Sequence, residues 1–478
     1  QLRLVCSHPL ERRKPREMMH NVLMTLVHFC RMAVGSLLVI SGLIKANDAR
    51  GFMYKLEEYF EPGALNLEAW SPYALELGIT ASTGEILLGV ALLVGALPRL
   101  TTALTTVLLL FFGWLTFYTH SCDPFGMKTI AVDGVATEIA NQCVLACGCF
   151  GNAIPLTPWE SFLKDVALLV LTVPVLWAAW TGRFGLNDRR RGTFLYTAAL
   201  VVTWLFSDGM LSWNFPVIFL AGSLLIAEIL RRRLVGSWQE LGMAAGVLLL
   251  AIGFQSFTLR HLPIKDYRPY AVGQSIVENQ KSADELGLAG SVYATNYTFR
   301  NVDTGADTVI LSSDYLKIYG EDWFKTGYEN VSWDGEEVLV SKGYEPLISD
   351  LDAVDADGFS QLDGLLGAGV TLWHVSKDLG EAHVCVQAEI TALMASAEQA
   401  GWRPAALTAS TNEQVEQYRF EHQAAYPFYQ TDPTELKIVV RSNPGLLLIE
   451  NGVVRGKWGW RDVPSFDALQ ALVSKTIE

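Results

Sequence analysis

The sequence predicts a helical polytopic membrane bundle followed by a soluble region of mixed α/β structure. Hydrophobic residues make up 50% of the 478-residue chain, but residues 21–259 are mostly apolar runs, whereas residues 262–478 have the composition of an acidic soluble domain. A chain of this length allows two or three domains. The net charge of -14 arises mainly in the second half and argues against a nucleic-acid partner.

Seven apolar runs are candidates for spanning helices, since a spanning helix needs about 20 mainly apolar residues. They are Asn21–Ile44, Tyr73–Leu97, Leu100–Tyr118, Trp159–Trp180, Phe194–Ser207, Phe215–Leu230 and Leu241–Leu259. The first run is too long for the core of a signal peptide, and no small-residue cleavage site follows it, which predicts a retained span.

The basic residues between these runs predict the orientation of the chain. They fall on alternate connections: Glu11–Glu17, Pro98-Arg99, Arg183–Arg191 and Arg231–Arg233. The positive-inside rule then makes the N-terminus cytoplasmic and places four segments outside. These are residues 46–72, 119–158, 208–214 and everything after residue 260. We therefore expect a protein of the bacterial inner membrane, with a cytoplasmic tail over residues 1–20 and a periplasmic C-terminal half.

Four of the seven cysteines, Cys122, Cys143, Cys147 and Cys149, fall in one predicted external loop. On an oxidising face, clustered cysteines usually form disulfides or catalytic dithiols. The spacing C-x20-C-x3-C-x-C lacks the paired C-x2-C of common zinc sites, although His120 lies close by. A metal site, a pair of structural disulfides and redox chemistry therefore stay open. Redox chemistry is favoured, because a bridge from Cys147 to Cys149 closes a small, labile ring.

The segment Cys147-Gly-Cys149-Phe-Gly151, together with Ser41–Lys45 and Gly84–Gly89, resembles the MauE/DoxX family of small membrane proteins. The resemblance covers about residues 20–182 and implies a four-helix bundle similar in layout to the quinone-linked disulfide oxidases of membranes. It also implies that Cys147 and Cys149 are the redox pair. It indicates no firm cofactor, but it makes a membrane quinone the candidate electron acceptor.

Cys122 and Cys143 are candidates for a second, shuttling pair, on the basis of their loop placement alone. The region that follows the four MauE/DoxX-like spans, residues 183–260, holds the three additional spans.

Glu85 lies about midway along the second span. A carboxylate inside a membrane is costly and is a functional candidate by default, here as a proton acceptor during thiol oxidation or quinone reduction. The alternative is a structural carboxylate that is bonded to a neighbouring helix at Ser41 or Lys45. Lys45 is expected to extend its ammonium toward the membrane surface, and Cys30 is expected to be an inert apolar side chain.

Residues 261–368 are interpreted as a periplasmic connector with a β-rich segment. Its strand-like runs are Ser291–Phe299, Thr308–Leu311 and Glu337–Val340. Over residues 369–478 the patterns predict the order β-α-β-α-β-β-α. The elements are Val370–Val375, Ala388–Ala400, Pro404–Thr408, Asn412–His422, Gly445–Ile449, Val453–Lys457 and a last helix from about Ser465. This order, with Arg441–Gly452 and its Pro444, resembles the thioredoxin fold and its cis-proline strand and hairpin.

The thioredoxin-like region departs from redox-active members of that family. They carry C-x-x-C after the first strand, where a helix N-terminus stabilises the thiolate, but Lys377–Val386 holds only Cys385. The sequence therefore favours a binding module without redox activity, or a buried Cys385, over a mixed disulfide with the membrane loop. Pro444 and Asn443 are candidate partner-binding residues for an extended client peptide.

The leading hypothesis is a membrane-bound thiol–disulfide oxidoreductase that exchanges electrons between periplasmic protein thiols and a membrane acceptor. Its partners would be the lipid bilayer and thiol-bearing periplasmic proteins. The alternative is a non-enzymatic membrane scaffold or assembly subunit, with structural disulfides and a partner-binding tail. Whether the chain is an enzyme stays open at this point. A transporter is disfavoured, because the spans show no evident inverted repeat and no set of paired intramembrane charges.

Overall fold

The computed structural model describes residues 13–123, 127–132, 135–144, 148, 150–333, 337–341 and 343–474. The chain divides into two compact units, Gln1–Tyr267 and Arg268–Glu478.

The first unit is mainly helical. Its helices are α1 (Arg13–Asn47), α2 (Ala49–Phe60), α3 (Ala74–Val94), α4 (Pro98–His120), α5 (Pro158–Trp180), α6 (Arg189–Phe206), α7 (Phe215–Arg233) and α8 (Ser237–Arg260). Strands β1 (Met127–Val132) and β2 (Val135–Ala140) form an antiparallel hairpin between α4 and α5.

Six stretches of the described residues are long and apolar enough to cross a membrane, against the seven that the sequence predicts. They are Asn21–Asn47, Glu68–Val94, Pro98–His120, Pro158–Trp180, Arg190–Leu211 and Trp238–Arg260. The remaining predicted span, Phe215–Leu230, lies in α7, a helix of 19 residues. The last turn of α7 contains three arginines, which lower its mean hydropathy.

Hydrogen bonds at the two ends of the unit show that its long helices alternate in direction. At one end, Arg231 of α7 donates to the carbonyl of Asn187, just before α6 begins, at 2.5 Å. At the other end, Thr258 of α8 donates to the carbonyl of Ala46 of α1 at 2.8 Å. We call the end with the arginines the basic end. The opposite end, with residues 48–73, 207–214 and the described residues between 121 and 157, is the loop end.

Glycines let α1 and α3 approach closely. A Cβ on Gly89 would lie 2.6 Å from the carbonyl oxygen of Gly35, and a Cβ on Gly42 would lie 2.7 Å from that of Ser82. Small residues at such a crossing allow close helix packing in a membrane bundle. The close contact places Glu85 of α3 opposite Lys45 of α1.

Arg31 fastens the basic end, a role that the sequence did not reveal. Its side chain is 1% exposed. Its guanidinium donates to the carbonyls of Leu92 and Leu93, at the end of α3, and to Asn187 Oδ1 at 3.1 Å. It also lies 4.1 Å from the centre of the Phe184 ring. Arg31 thus satisfies carbonyls that a helix end leaves without an intrahelical partner.

The second unit holds two sheets. Its helices are α9 (Ile276–Gln280), α10 (Ala283–Leu286), α11 (Ser312–Ile318), α12 (Asp322–Gly327), α13 (Leu362–Leu366), α14 (Gln387–Gln399), α15 (Asn412–His422), α16 (Pro433–Val439) and α17 (Phe466–Val473). Its strands are β3 (Val292–Asn301), β4 (Asp307–Leu311), β5 (Tyr328–Ser332), β6 (Glu337–Ser341), β7 (Val370–Ser376), β8 (Arg403–Thr408), β9 (Phe428–Gln430), β10 (Gly445–Glu450) and β11 (Val453–Gly459).

The C-terminal sheet has the strand order β11-β10-β7-β8-β9. Strands β7, β8 and β9 are parallel, and β10 is antiparallel to β7 and β11. The peptide bond between Asn443 and Pro444, just before β10, is cis. This is the thioredoxin-like arrangement that the sequence predicts, and β9 and α16 are the two elements that the prediction lacked. The β-rich segment forms the other sheet, in which β3 pairs with β4, β5 and β6.

Candidate functional site

Two of the loop cysteines are joined to each other. Cys122, two residues after α4, forms a disulfide with Cys143, and their Cα atoms are 5.7 Å apart. Both residues are half-buried, so the bridge is partly accessible. The disulfide links the residues that follow β2 to the residues that follow α4. The sequence predicts that these two cysteines act as a shuttling pair, and that role remains a prediction.

The loop packs against α2 and the residues that follow it. The sequence predicts an external connection at this place and no helix. Asp48 caps the start of α2 by accepting a hydrogen bond from the backbone of Gly51. The backbone of Gln142 donates to the carbonyl of Gly63 at 2.9 Å. Val144 is buried in an apolar cluster that includes Tyr59. These contacts fix Gln142 and Val144, which precede the C-G-C segment in the chain.

Cys147 and Cys149 lie outside the described residues, but the residues between and after them are described. A Cβ on Gly148 would lie 2.8 Å from Cγ of Lys55, and the φ angle of Gly148 is +70°. Glycine accepts this backbone conformation more easily than any other residue. Phe150, which is bonded to Cys149, is only 7% exposed and packs into the core of the bundle. Gly148 thus lies against Lys55, and Phe150 lies in the core of the bundle.

His120, the residue that kept a metal site open, is part of an aromatic contact. Its ring centre lies 5.0 Å from that of Trp159 at the start of α5. Among the described residues, no group of three or more His, Cys, Asp or Glu side chains is placed to hold a metal ion.

Glu85 forms a buried ion pair with Lys45. The Lys45 ammonium lies 2.7 Å and 3.0 Å from the two carboxylate oxygens and 2.8 Å from Ser41 Oγ. Both side chains are at most 3% exposed. The expectation that Lys45 extends to the membrane surface is wrong, because its carboxylate partner lies inside the bundle. The alternative that links Glu85 to Lys45 describes the observed contact, whereas proton transfer by Glu85 remains a prediction.

A second ion pair lies nearby, so the expectation that the spans contain no set of paired charges is wrong. Lys164 Nζ lies 2.7 Å from Asp165 Oδ1, and the Asp165 side chain is 1% exposed. Thr116 of α4 donates to Asp165 Oδ2 at 3.3 Å. An aspartate within the apolar run Trp159–Trp180 was the available signal, because such groups inside a span are rare and costly.

The two ion pairs line one cavity of about 300 Å³. Helices α1, α3, α4, α5 and α6 contribute to its wall, together with residues 150–156 that follow the C-G-C segment. Its aromatic side chains are Phe112, Phe150 and Phe206. The cavity therefore combines charged groups, flat apolar walls and direct continuity with the segment that holds Cys149.

In the second unit, Pro444 and Asn443 are covered by the segment that replaces C-x-x-C. Pro444 is buried. Asn443 accepts a hydrogen bond from Ser376 Oγ at 2.7 Å and donates to the carbonyl of Asp378 at 2.8 Å. The backbone of His383 donates to the carbonyl of Asn443 at 3.1 Å. A partner at this edge would therefore meet the segment Lys377–Val386 first.

Cys385 is exposed, so the expectation of a buried thiol is wrong. It lies in the 3-10 turn Val384–Val386, immediately before α14. The turn lifts the residue out of the core, because the helix that buries its apolar face starts only at Gln387.

A polar chain runs through the core of this unit. His374 in β7 is fully buried, and its Nδ1 is 2.9 Å from Tyr426 Oη. Gln387 Nε2 donates to Tyr426 Oη, and Gln387 Oε1 accepts from Tyr418. Burial lowers the pKa of His374 to about 3 and raises the pKa of Tyr426. His374 is therefore neutral in the folded domain at physiological pH.

Comparison with known proteins concerns mainly the membrane half. Residues 23–123 match the family model described as methylamine utilisation protein MauE. Over these residues the chain is similar to MauE. The matched residues include Ser41, Lys45 and Glu85 and end before Cys143. The MauE match therefore rests on the spans, whereas the sequence analysis gave most weight to the C-G-C segment.

One solved structure is similar to part of the chain. It is the solution structure of a thiol:disulfide interchange protein from Bacteroides sp., with 13% sequence identity and a TM-score of 0.22. The match covers 26% of this chain and 82% of that chain. No curated protein matches the chain.

Proposed function

We propose that this chain is a membrane-bound thiol–disulfide oxidoreductase that acts through Cys147 and Cys149. Client proteins with thiols would be the electron donors, and a lipid-soluble acceptor of the quinone class would receive the electrons. The MauE-like spans and the concentration of cysteines at the loop end support this proposal. The observation that carries it is the continuity of the C-G-C segment, through Phe150, with a charged cavity inside the bundle.

The proposed reaction proceeds in two thiol-exchange steps. A client thiolate attacks the Cys147–Cys149 disulfide, which forms a mixed disulfide and releases one cysteine as a thiolate. A second client thiolate then attacks the mixed disulfide, so that the client leaves oxidised, and Cys147 and Cys149 are both reduced. Their reoxidation passes two electrons to the acceptor, which also takes up two protons. As a second route, we propose that clients reduce the partly accessible Cys122–Cys143 bridge by the same two exchange steps, and that the resulting Cys122 and Cys143 thiols then reduce the Cys147–Cys149 disulfide and become a disulfide again.

We further propose that the loop end faces the periplasm, so that the cysteines meet an oxidising compartment. The arginines at the basic end favour a cytoplasmic location for that end. For the second unit, we propose that partner proteins bind at the segment Lys377–Val386, close to Pro444 and Asn443. In this role the second unit would recruit clients and would not itself need a C-x-x-C motif.

The test is to capture clients as mixed disulfides. Replacing one cysteine of a redox pair leaves the other unable to complete the exchange, so the intermediate accumulates. Cys147→Ser and Cys149→Ser variants should therefore yield complexes that a reductant dissolves, and at least one should capture clients. Cys30→Ser is the matched control, because Cys30 is buried in the same unit and distant in sequence from the loop. Client complexes in none of the loop variants would contradict the proposal.

A non-enzymatic scaffold remains the second candidate, because the Cys122–Cys143 disulfide also fastens the loop to α4. A scaffold would keep all its loop cysteines permanently oxidised or permanently reduced. The same trapping experiment separates the two functions, since a scaffold captures no client through a single remaining thiol.

A further inference from the structure

The cavity between α1, α3, α4, α5 and α6 contains two ion pairs, Lys45–Glu85 and Lys164–Asp165. Its volume of about 300 Å³ is at the lower end of the range for small-molecule sites. It is therefore large enough for a single-ring head group and too small for a complete lipid.

Two ammonium groups, Lys45 and Lys164, and three carboxylates, Glu85, Glu160 and Asp165, line this space. The Lys45 ammonium lies 5.1 Å from the centre of the Phe112 ring, and the Lys164 ammonium lies 5.2 Å from that of Phe150. Each lysine is also paired with an acid, at 2.7 Å in both cases. Charges inside a membrane are costly and usually mark a functional site. Flat rings beside ammonium donors suit an aromatic ligand whose oxygens become negative on reduction.

The cavity is connected covalently to the proposed redox pair. Phe150 lines it and is the residue after Cys149. One peptide bond separates Cys149 from this lining residue. Electrons from a Cys147–Cys149 dithiol would thus have a short path to a bound acceptor.

The cavity wall extends to the outer surface of the bundle. Met210 lines it and is 58% exposed on the outer surface of the bundle. Met210 belongs to the π-turn Ser207–Leu211 that follows α6, and such turns are concentrated at functional sites. Since α6 lies beyond the matched residues 23–123, this wall is contributed by the additional helices of the chain.

We propose that this cavity binds the head group of the membrane quinone that reoxidises Cys147 and Cys149, with Lys45 and Lys164 as the ammonium groups that stabilise the reduced oxygens. This inference rests on the proposed oxidoreductase function. The step is balanced. The two thiols form one disulfide, and their two electrons and two protons convert the quinone to a quinol. Met210 forms the lipid-facing wall beside the head group.

A larger side chain at the lipid-facing wall tests the location without breaking an ion pair. Met210→Trp should narrow the cavity, while Leu104→Trp is the matched control. Leu104 is 48% exposed on the bundle surface and lines a different, apolar cleft of about 580 Å³. Full-length protein in quinone-free lipid discs is reduced with dithiothreitol and then supplied with a short-chain benzoquinone. We expect Met210→Trp to raise the KM for the benzoquinone about tenfold and Leu104→Trp to leave it unchanged.

Binding is measured separately from redox activity. An azido-benzoquinone is photo-crosslinked to a Cys147→Ser/Cys149→Ser variant, which cannot turn over, and the labelled peptides are identified. Label on residues 150–168 or 206–210 supports the proposal. The proposal is overturned by label in the apolar cleft that Leu104 lines, by the absence of any label, or by an equal effect of Leu104→Trp on the KM for the benzoquinone. Client capture by the single-cysteine variants is independent of these outcomes, so the oxidoreductase function can stand while the quinone site fails.

Discussion

Lys45 of α1 and Glu85 of α3 form an ion pair at 2.7 Å within the membrane bundle, and both side chains are almost fully buried. Breaking such a pair leaves one charge buried without compensation, which costs about 3–5 kcal/mol. Replacing both partners by apolar residues removes that cost and is often nearly neutral. Substituting either residue alone should therefore destabilise the bundle strongly, whereas substituting both should change its stability little.

We predict that Lys45→Met and Glu85→Leu each lower the free energy of unfolding by about 3–5 kcal/mol. The double variant should recover most of this loss. Thermal unfolding in one detergent, followed by tryptophan fluorescence, supplies the three differences. Additive losses in the double variant would show that the two side chains are not coupled, and would contradict the ion pair.

The second prediction concerns Arg31 at the basic end. Its guanidinium satisfies the carbonyls of Leu92 and Leu93, and leaving such groups without a donor costs about 1–3 kcal/mol each. Arg31→Leu should therefore lower the unfolding temperature markedly. The control Arg99→Leu removes an exposed arginine of the same end. Equal effects of both substitutions would mean that lost charge, not lost hydrogen bonding, explains the change.

The third prediction is a pH dependence that arises from His374. Its pKa is about 3 in the folded domain, because burial disfavours the charged form, and it is about 6.5 in an unfolded chain. Between these values the unfolded state binds one more proton. Stability is therefore lost as the pH falls, by about 1.4 kcal/mol per pH unit.

Unfolding of the full chain between pH 7 and pH 4 measures this slope. His374→Phe should make the dependence shallower by one proton, whatever its effect on stability at pH 7. His383→Phe is the control, since His383 is exposed. An unchanged slope in His374→Phe would show that other groups cause the acid sensitivity.

The fourth prediction is that α7 crosses the membrane. Its end contacts the start of α6, so that α7 runs back along the full length of that helix. It also exposes Ile218, Leu225 and Ile229 along its outer side, as a lipid-facing helix does. Its charged residues, Glu228 and the three arginines of the last turn, set it apart from the other spans.

Alkaline phosphatase, which is active only after export, reports the side of each loop when it is fused to truncated chains. Fusions after Ser212 and after Asp266 should be active, and a fusion after Val235 should be inactive. Equal activity after Ser212 and Val235 would mean that α7 does not cross, and it would reverse the side of everything after residue 260.

The fold could be predicted well where a single periodicity decides it. The predicted strands and helices of the thioredoxin-like domain lie within a few residues of their observed bounds, whereas α1 and α6 begin at Arg13 and Arg189, before the apolar runs that predict them. The three-residue strand β9 carries too little pattern to detect. Helix α2 is a short amphipathic helix in a stretch that was interpreted as a connection between spans. Asp48, which caps its start, is the residue that could have predicted it.

The candidate site could be predicted only in part, because its geometry depends on how helices rotate against each other. The sequence suggested that Glu85 needs a partner and included Lys45 among the candidates. It could not show that Lys164 and Asp165 approach the same cavity, since they are distant in the chain and the α1–α3 crossing at Gly35 and Gly89 sets the geometry. The structural role of Arg31 could not be predicted, because its partners are backbone carbonyls, which no residue pattern marks.

The redox state of Cys147 and Cys149 in growing cells tests the central claim most directly. Thiols are alkylated in intact cells with a reagent that adds mass, and the fractions of reduced and oxidised protein are then measured by gel shift. The proposal predicts a mixed population for this pair, which shifts to the reduced form when the quinone pool is reduced and recovers when it is reoxidised. A pair that stays fully oxidised, or fully reduced, under both conditions would contradict the oxidoreductase function.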